Sequence, residues 1–341
     1  MRNYILRRLI LMIPTFIGIT FVTFFITQIV PGGPIEQMLN RPMSSFGEAG
    51  TSATDRNISV NQLTEEDMAT LREFYGYDKP IIIRYLKWLN NVAHLNFGDS
   101  YRYFTPVMEI IASKLPVSIF YGLISTILVY AVCIPLGLVK AIKHRSMMDN
   151  ASSIAIFAGY AIPPFALGMF LLTVFATKYS FFPLGGFVSD NFSDLSFLEQ
   201  LSDLFRHAIL PLICYMIGSF AFMTMLMKNS VIENMSSDYV KTALAKGVTY
   251  KRAIFSHAFR NSLIPIATSF GNVISLFIAG SFLIEMIFNI DGMGYLGYTS
   301  IVERDYPIVL GILVIASMLK LVGNLLSDMC VAFVDPRVRF K

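Results

Sequence analysis

Charged residues are scarce in this sequence: Asp, Glu, Lys and Arg make up 15% of its 341 residues. Soluble domains usually carry about a quarter, whereas 55% of the residues here are hydrophobic. The three cysteines are far apart, and each lies within an apolar stretch: Cys133, Cys214 and Cys330. This spacing excludes a disulfide framework and a C-x-x-C metal site. The composition therefore argues against an ordinary soluble enzyme and against a disulfide-rich secreted domain.

Motifs of the common enzyme classes are absent as well. The chain has no G-x-x-x-x-G-K-[ST], no H-E-x-x-H and no G-x-S-x-G, which excludes P-loop nucleotide binding, zincin chemistry and the hydrolase nucleophile elbow. Its four histidines are scattered. A literal G-x-G-x-x-G begins at Gly292, but an apolar run of helical length precedes it, so a glycine-rich turn is the better interpretation. We expect no enzymatic activity, no bound metal and no cofactor.

Six long apolar segments fill most of the chain. A helix rises about 1.5 Å per residue, so about 20 apolar residues cross the hydrocarbon core of a bilayer, which is about 30 Å thick. Membrane strands need only about 10 alternating residues, and helices of a soluble core would each have a polar face, so both alternatives fit poorly. The sequence predicts an all-α integral membrane protein with six transmembrane helices at 9–35, 115–139, 150–177, 208–227, 261–284 and 306–331.

The first segment could instead be a cleaved signal peptide, because Arg2, Arg7 and Arg8 precede its apolar run. That run is too long for a signal peptide, and Pro31-Gly-Gly-Pro34 follows it where a small-x-small cleavage site would stand. We therefore expect an uncleaved first helix.

The distribution of Lys and Arg predicts the orientation in the membrane. The N-terminus, the loops 140–150 and 228–260 and the C-terminal tail together hold 15 Lys and Arg but four acids. The remaining loops hold 11 Lys and Arg and about 18 acids. Both termini should therefore be cytoplasmic. The net charge of +4 follows from this topology and does not indicate a nucleic-acid partner.

The predicted organisation has three parts. Residues 1–35 form the first transmembrane helix, residues 36–114 form a periplasmic region with amphipathic helices, and residues 115–341 form a five-helix core with a cytoplasmic loop at 228–262. In the periplasmic region, a threonine followed by three acids at 64–67 is typical of a helix start. Residues 81–95 have an amphipathic pattern with aromatics suited to a membrane interface.

The cytoplasmic loop predicts two short helices. Ser236 or Ser237 can cap the first, and Gly247 can end it in a left-handed conformation that costs other residues more. Thr249 can cap a second helix that reaches about Arg260. An ordinary basic loop is the alternative from the residues alone.

Polar residues inside the apolar segments are candidates for function. The adjacent prolines Pro163 and Pro164 should kink or break the third segment, either for packing or beside a transport path. Glu285 lies near the outer end of its segment, where snorkelling to the surface is cheap. In the sixth segment, residues at spacings of three and four predict a polar stripe on one helix face: Ser317, Lys320, Asn324, Ser327 and Asp328.

Several stretches resemble one family along the whole chain, namely the permease subunits of ATP-binding-cassette importers in the peptide/nickel branch. Matching stretches lie at 4–9, 30–34, 97–100, 106–107, 115–116, 292–294, 304–307 and 335–337. The loop resembles the family's "EAA" coupling motif, with the motif's glutamate replaced by Lys241 and its first alanine by Thr242. The resemblance assigns ATPase coupling to Tyr239, Lys241, Thr242, Ala243, Ala245, Lys246, Gly247, His257, Arg260 and Asn261.

This resemblance implies a type I ABC importer permease fold in a bacterial inner membrane. It also implies a second permease subunit, two ATPase subunits that hydrolyse ATP, a periplasmic substrate-binding protein and contact with membrane lipid. Stretches 159–163, 182–187 and 228–230 are similar to the Yej-type subgroup, which is associated with oligopeptides and with antibiotics of the microcin C kind. The alternatives are import of nickel or another small solute, and a proton-coupled carrier. Such a carrier would need several buried acids and often internal repeats.

Overall fold

The computed structural model describes residues 2–29, 79–269 and 280–334, and the regular elements within these ranges are helices. Pi-helical turns lie at Leu172–Lys178 and Ile254–Ala258, and residues 264–269 are also helical. The helices are α1 (Arg2–Ile29), α2 (Ile81–Ala93), α3 (Val107–Ile142), α4 (Met147–Ala161), α5 (Pro164–Leu171), α6 (Phe197–Ser236), α7 (Asp238–Ala245), α8 (Tyr250–Ala253), α9 (Phe259–Ser262), α10 (Phe282–Ile287), α11 (Met293–Val302) and α12 (Tyr306–Val334).

Four described helices are long and apolar enough to cross a membrane: α1, α3, α6 and α12. The bent pair α4 and α5 makes a fifth span if it is counted as one. These five correspond to predicted segments one, two, three, four and six. The remaining prediction, 261–284, includes residues 270–279, which lie outside the described residues. The predicted helix start at Thr64 also lies outside them, whereas the predicted amphipathic helix at 81–95 is present as α2.

The third predicted segment is broken, as its prolines suggest. Its halves, α4 and α5, meet at an angle of 90°. Pro163 precedes α5 in an extended conformation (φ −58°, ψ 133°), and Pro164 occupies the beginning of the helix. Proline fits there because the first amides of a helix have no intrahelical partner. The break therefore follows directly from two adjacent residues.

The described helices form two compact units. The first comprises 1–14, 111–299 and 315–341, and the second comprises 15–110 and 300–314. The core of the first unit is built where α3 and α6 pack closely. A Cβ at Gly137 would lie 2.6 Å from the Cβ of Met227, so glycine permits the approach. Such small-residue contacts are common between membrane helices.

In the second unit, α2 is fastened to α1. The Tyr85 hydroxyl donates to the carbonyl of Ile17 (3.2 Å) and hydrogen-bonds Thr20 Oγ1 at 3.0 Å. Ser100 Oγ donates to Asp305 at 2.5 Å. The stretches 97–100 and 304–307 were both singled out in the sequence, and this contact brings them together.

Candidate functional site

A cavity of about 440 Å³ opens among helices of the first unit. Long apolar helices α3 and α6 supply most of its walls, and Pro164 at the start of α5, Ser269, and residues in and just before α10 supply the rest. Within the described part of the chain, the lining residues are small, hydroxyl-bearing or apolar and carry no formal charge: Gly122, Ser125, Thr126, Val129, Tyr130, Pro164, Cys214, Tyr215, Gly218, Ser219, Phe222, Met223, Ser269, Gly280, Ser281 and Ile284. Such a surface offers neutral hydrogen-bonding groups beside apolar area.

Of the predicted path residues, Pro164 lines this cavity. Pro163 is exposed, and Ser317, Lys320 and Asn324 are half-buried on α12, outside the cavity lining. The sequence reasoning missed Ser125, Thr126, Tyr215 and Ser219 because serine, threonine and tyrosine are unremarkable inside a membrane helix. The sequence feature that could have indicated these lining residues is the pairing of small or hydroxyl residues within an apolar segment, such as Gly218 with Ser219.

Glu285 is buried behind this cavity, with 1% of its surface exposed. Its carboxylate accepts hydrogen bonds from the backbone N–H of Tyr295 (2.6 Å), the backbone N–H of Ser281 (3.2 Å) and the hydroxyl of Tyr215 (3.1 Å). The expectation that this side chain snorkels to the surface is therefore wrong. A buried carboxylate needs such donors because desolvation is costly.

Three glycines make room for this carboxylate. A Cβ at Gly292 would lie 2.8 Å from Glu285 Cδ, and one at Gly294 would lie 2.8 Å from the backbone nitrogen of Ser281. Gly280, with φ +51°, would direct a Cβ at Glu285 Oε1 and at Gly294. The first glycines of the G-x-G-x-x-G stretch thus allow the chain to close around an acid of the protein itself. The predicted glycine-rich turn is therefore wrong for most of the stretch: Gly292 lies in the bend before α11, whereas Gly294 and Gly297 lie within α11.

The loop that follows α6 folds as the predicted pair of short helices and is called the two-helix loop. Ser237 precedes α7 and Thr249 precedes α8, although neither side chain makes a capping hydrogen bond. Gly247 ends α7 with φ +88°. The N–H of Gly247 bonds the carbonyl of Leu244 (2.9 Å), and that of Val248 bonds the carbonyl of Ala243 (3.1 Å). This is the Schellman arrangement that favours glycine.

A small apolar core holds the two-helix loop together. Val240, Ala253 and Ala258 are fully buried, and Leu244 and Val248 pack against them. The surface of α7 is exposed at Tyr239, Lys241, Thr242, Ala245 and Lys246. Arg260 is exposed, His257 and Asn261 are half-buried, and Asn261 lines a small pocket with Ser230 and Asn234. The exposed face of the loop is therefore supported by a packed apolar core.

A buried ionic cluster joins α3, α4 and α6. Asp149, 1% exposed, receives Lys228 Nζ at 2.8 Å and Lys140 Nζ at 3.1 Å. Lys140, fully buried, also donates to the hydroxyls of Ser152 (2.7 Å) and Ser153 (2.9 Å). No pattern in the sequence predicted this cluster. Its three charged residues lie at the ends of apolar segments, where charges normally face water.

The end of the polar stripe on α12 contacts other helices of the unit. Asp328 pairs with Arg8 (2.8 Å) and accepts from the hydroxyl of Tyr4 (2.8 Å). Ser327 Oγ donates to the carbonyls of Ala267 and Thr268, at 3.1 and 2.7 Å. This end of the stripe therefore ties α12 to α1 and to the helical residues 264–269.

The sequence is similar to known transport proteins along its whole length. It is 40% identical to the peptidoglycan transport system permease protein YejB of Agrobacterium fabrum, over 100% of this chain and 99% of that one. It is 39% identical to the inner membrane ABC transporter permease protein YejB of Escherichia coli O157:H7, over 100% of both. The oligopeptide transport system permease protein AppB of Bacillus subtilis is 35% identical, also over 100% of both.

A family match covers the core of the chain. Residues 133–340 match the family described as "Binding-protein-dependent transport system inner membrane component". Those residues include the cavity walls of α6, the glycines around Glu285 and the two-helix loop. The chain belongs to this family, the multi-pass inner-membrane permease subunits of ABC importers, which work with an ATPase and a substrate-binding protein and are not themselves catalytic.

Proposed function

We propose that this chain forms half of the translocation path for oligopeptides or peptide-like compounds. The observation that carries the proposal is the uncharged, hydroxyl-lined cavity between α3 and α6. Relatives named for peptidoglycan and oligopeptide transport agree with it. The assembly we infer contains a second permease, two ATPase subunits and a periplasmic binding protein, with six spans in this chain and both termini in the cytoplasm.

The chemistry of the cavity suits a peptide of variable sequence. Every peptide carries backbone N–H and C=O groups that hydrogen-bond to water in solution. When the peptide enters the cavity, the hydroxyls of Ser125, Thr126 and Ser219 can take the place of water as hydrogen-bond partners. A fixed charge in the wall would attract peptide side chains of the opposite charge and repel those of the same charge. A neutral wall avoids this selection, so specificity falls to the binding protein that delivers the ligand.

We further propose that α7 is the element that contacts the ATPase. Its support is the exposed face around Tyr239 and Lys241, the firm core beneath that face, and the direct continuation from the cavity helix α6 into α7. A rigid connection of this kind can transmit a displacement of a few ångströms from the ATPase to the cavity wall. The two-helix loop would then convert ATP-driven closure into a change of access.

The test fills the cavity with a side chain. A Cβ at Gly218 meets no atom within 4 Å, so Gly218→Leu should fold while occupying the path. Gly18 also has no atom within 4 Å of an added Cβ and is absent from the cavity lining, so Gly18→Leu is the matched control. The complex is reconstituted in proteoliposomes with ATP inside, and uptake of labelled peptides of different lengths is measured.

We expect Gly218→Leu to reduce peptide uptake at least about tenfold, equivalent to ~1.4 kcal/mol, with Gly18→Leu close to the parent. Co-purified ATPase should remain at the parent level in both variants. Equal peptide uptake by the two variants would show that the cavity is not the path. Uptake of nickel ions in place of every peptide would refute the substrate class.

A further inference from the structure

A second cavity, of about 390 Å³, lies within the unit formed by 15–110 and 300–314. It stands where α1 ends and α12 begins, so it lies at the level at which two membrane-crossing helices leave the hydrocarbon core. One face of α2 forms its side wall. The residues that matter most are Gln28, Lys79, Ile83, Arg84, Lys87 and Trp88.

The lining of this cavity is cationic. Lys79, Arg84 and Lys87 line it, whereas Asp99 is the acid among its described lining residues. Lys79 and Lys87 are exposed, so their ammonium groups remain accessible to a ligand. The hydrogen bonds of Tyr85 to α1 set the rotation of α2 and hold this basic face in place.

Exposed apolar side chains lie on the same two helices, α1 and α2, that supply residues to the cavity lining. On α2, Ile82 is 62% and Leu86 58% exposed, beside Ile83 in the lining. On α1, Ile26 is 54% and Ile29 67% exposed, next to Gln28. A helix that presents cations beside exposed isoleucine and leucine is typical of the membrane interface. A water-soluble anion would gain nothing from these exposed apolar side chains, whereas acyl chains would cover them.

Gln28 adds a hydrogen-bonding requirement. Its Oε1 is buried and accepts no hydrogen bond from the described part of the chain. A buried amide oxygen is costly without a donor. A ligand with a phosphate and a hydroxyl would pair the phosphate with the two lysines and supply the missing hydrogen-bond donor to Gln28 Oε1.

We propose that this cavity binds the headgroup of an anionic glycerol phospholipid, phosphatidylglycerol in kind. The phosphodiester lies against Lys79 and Lys87, a headgroup hydroxyl donates to Gln28 Oε1, and the acyl chains cover Ile82 and Leu86. The bound lipid fills the space between α1 and α2 at the membrane surface. This proposal does not depend on what the importer carries.

The experiment uses native mass spectrometry of the full-length chain, purified in detergent and titrated with phosphatidylglycerol or phosphatidylcholine. A lysine near an anionic lipid strengthens binding by about fivefold, so the Lys79→Gln/Lys87→Gln double variant should bind phosphatidylglycerol about 25-fold more weakly. Lys178→Gln is the matched control, since Lys178 is an exposed lysine outside this cavity. It should retain parent binding.

A second variant tests the hydroxyl. Gln28→Leu should abolish the preference for phosphatidylglycerol over phosphatidylmethanol, which has the same phosphodiester but no headgroup hydroxyl, while the charge preference over phosphatidylcholine persists. Undiminished phosphatidylglycerol binding in the double lysine variant would overturn the site. Equal binding of phosphatidylcholine by the parent would overturn the anionic specificity. Displacement of the lipid by inorganic phosphate or glycerol phosphate would show a site for soluble anions and overturn the lipid assignment.

Discussion

Glu285 illustrates how a single buried acid can organise a wall of the cavity. Its carboxylate gathers donors from α6, from the residues before α10 and from α11, and two of its donors, Tyr215 and Ser281, also line the cavity. Removal of the carboxylate leaves these donors buried without an acceptor. We therefore assign Glu285 a role in positioning the wall.

The Glu285→Ala variant should be destabilised by about 2–5 kcal/mol, because several buried donors lose their partner at about 1–3 kcal/mol each. Glu285→Gln retains one acceptor oxygen and should fall between it and the parent. Thermal unfolding of the purified protein in detergent gives the ranking. The control is Glu109→Ala, since Glu109 is an exposed acid in the first turn of α3. If Glu285→Ala unfolds together with Glu109→Ala, the carboxylate has no positioning role.

Gly247 carries a different residue-scale prediction. At φ +88° a β-branched side chain is strained, so Gly247→Val should disturb the end of α7 at a cost of about 1–3 kcal/mol. We expect membrane insertion to persist while ligand-stimulated ATP hydrolysis and uptake fall together. Ala155→Val adds the same side chain at an exposed, helical position of α4, outside the two-helix loop, and should be mild. Full transport by Gly247→Val in proteoliposomes would contradict the coupling role.

At the scale of elements, the cluster of Lys140, Asp149 and Lys228 fastens the C-terminal half of α6 to α3 and α4. α6 continues almost directly into α7, so this cluster anchors the stem of the two-helix loop. Two lysines share one carboxylate. The three residues therefore contribute unequally to stability. Removal of Asp149 leaves two buried cations without a counter-charge, whereas removal of Lys228 leaves the ion pair of Lys140 and Asp149.

This inequality predicts a ranking of variants. Asp149→Ala should destabilise the protein by about 3–5 kcal/mol, the cost of an uncompensated buried charge, and Lys228→Met should cost clearly less. Thermal unfolding in detergent measures both, with Asp194→Ala, an exposed acid between α5 and α6, as control. A larger effect from Lys228→Met than from Asp149→Ala would contradict the arrangement.

At the scale of the whole molecule, the distribution of Lys and Arg predicts the orientation in the membrane, with both termini in the cytoplasm. Reporter fusions after Arg145 and after Asp190 test it, because the predicted topology places these loops on opposite sides of the membrane. Alkaline phosphatase should be active after Asp190 and inactive after Arg145, and a cytoplasmic fluorescent reporter should behave in the opposite way at both sites. Fusions to the C-terminus should match those after Arg145. Matching activity at Arg145 and Asp190 would refute the predicted topology.

Local physics accounts for what could be predicted from the sequence. Hydrophobic length located the described spans, because a helix in lipid must satisfy its own backbone and cover the bilayer. Two adjacent prolines predicted the break before α5, and Gly247 predicted the turn after α7, whereas the predicted side-chain caps at Ser237 and Thr249 are absent. In each case the deciding residues are neighbours in the chain, so their effect needs no knowledge of the fold.

Contacts between distant residues decided the rest. The partners Tyr215 and Glu285 are 70 residues apart, and Asp149 and Lys228 are 79 residues apart. The sequence alone left Glu285 beside the membrane surface, since an acid near the end of an apolar run is cheapest in water. Only the packing of α6 against α10 and α11 supplies the donors that make its burial stable. Likewise, the membrane-crossing character follows from composition, whereas the cavity lining depends on which helix faces meet.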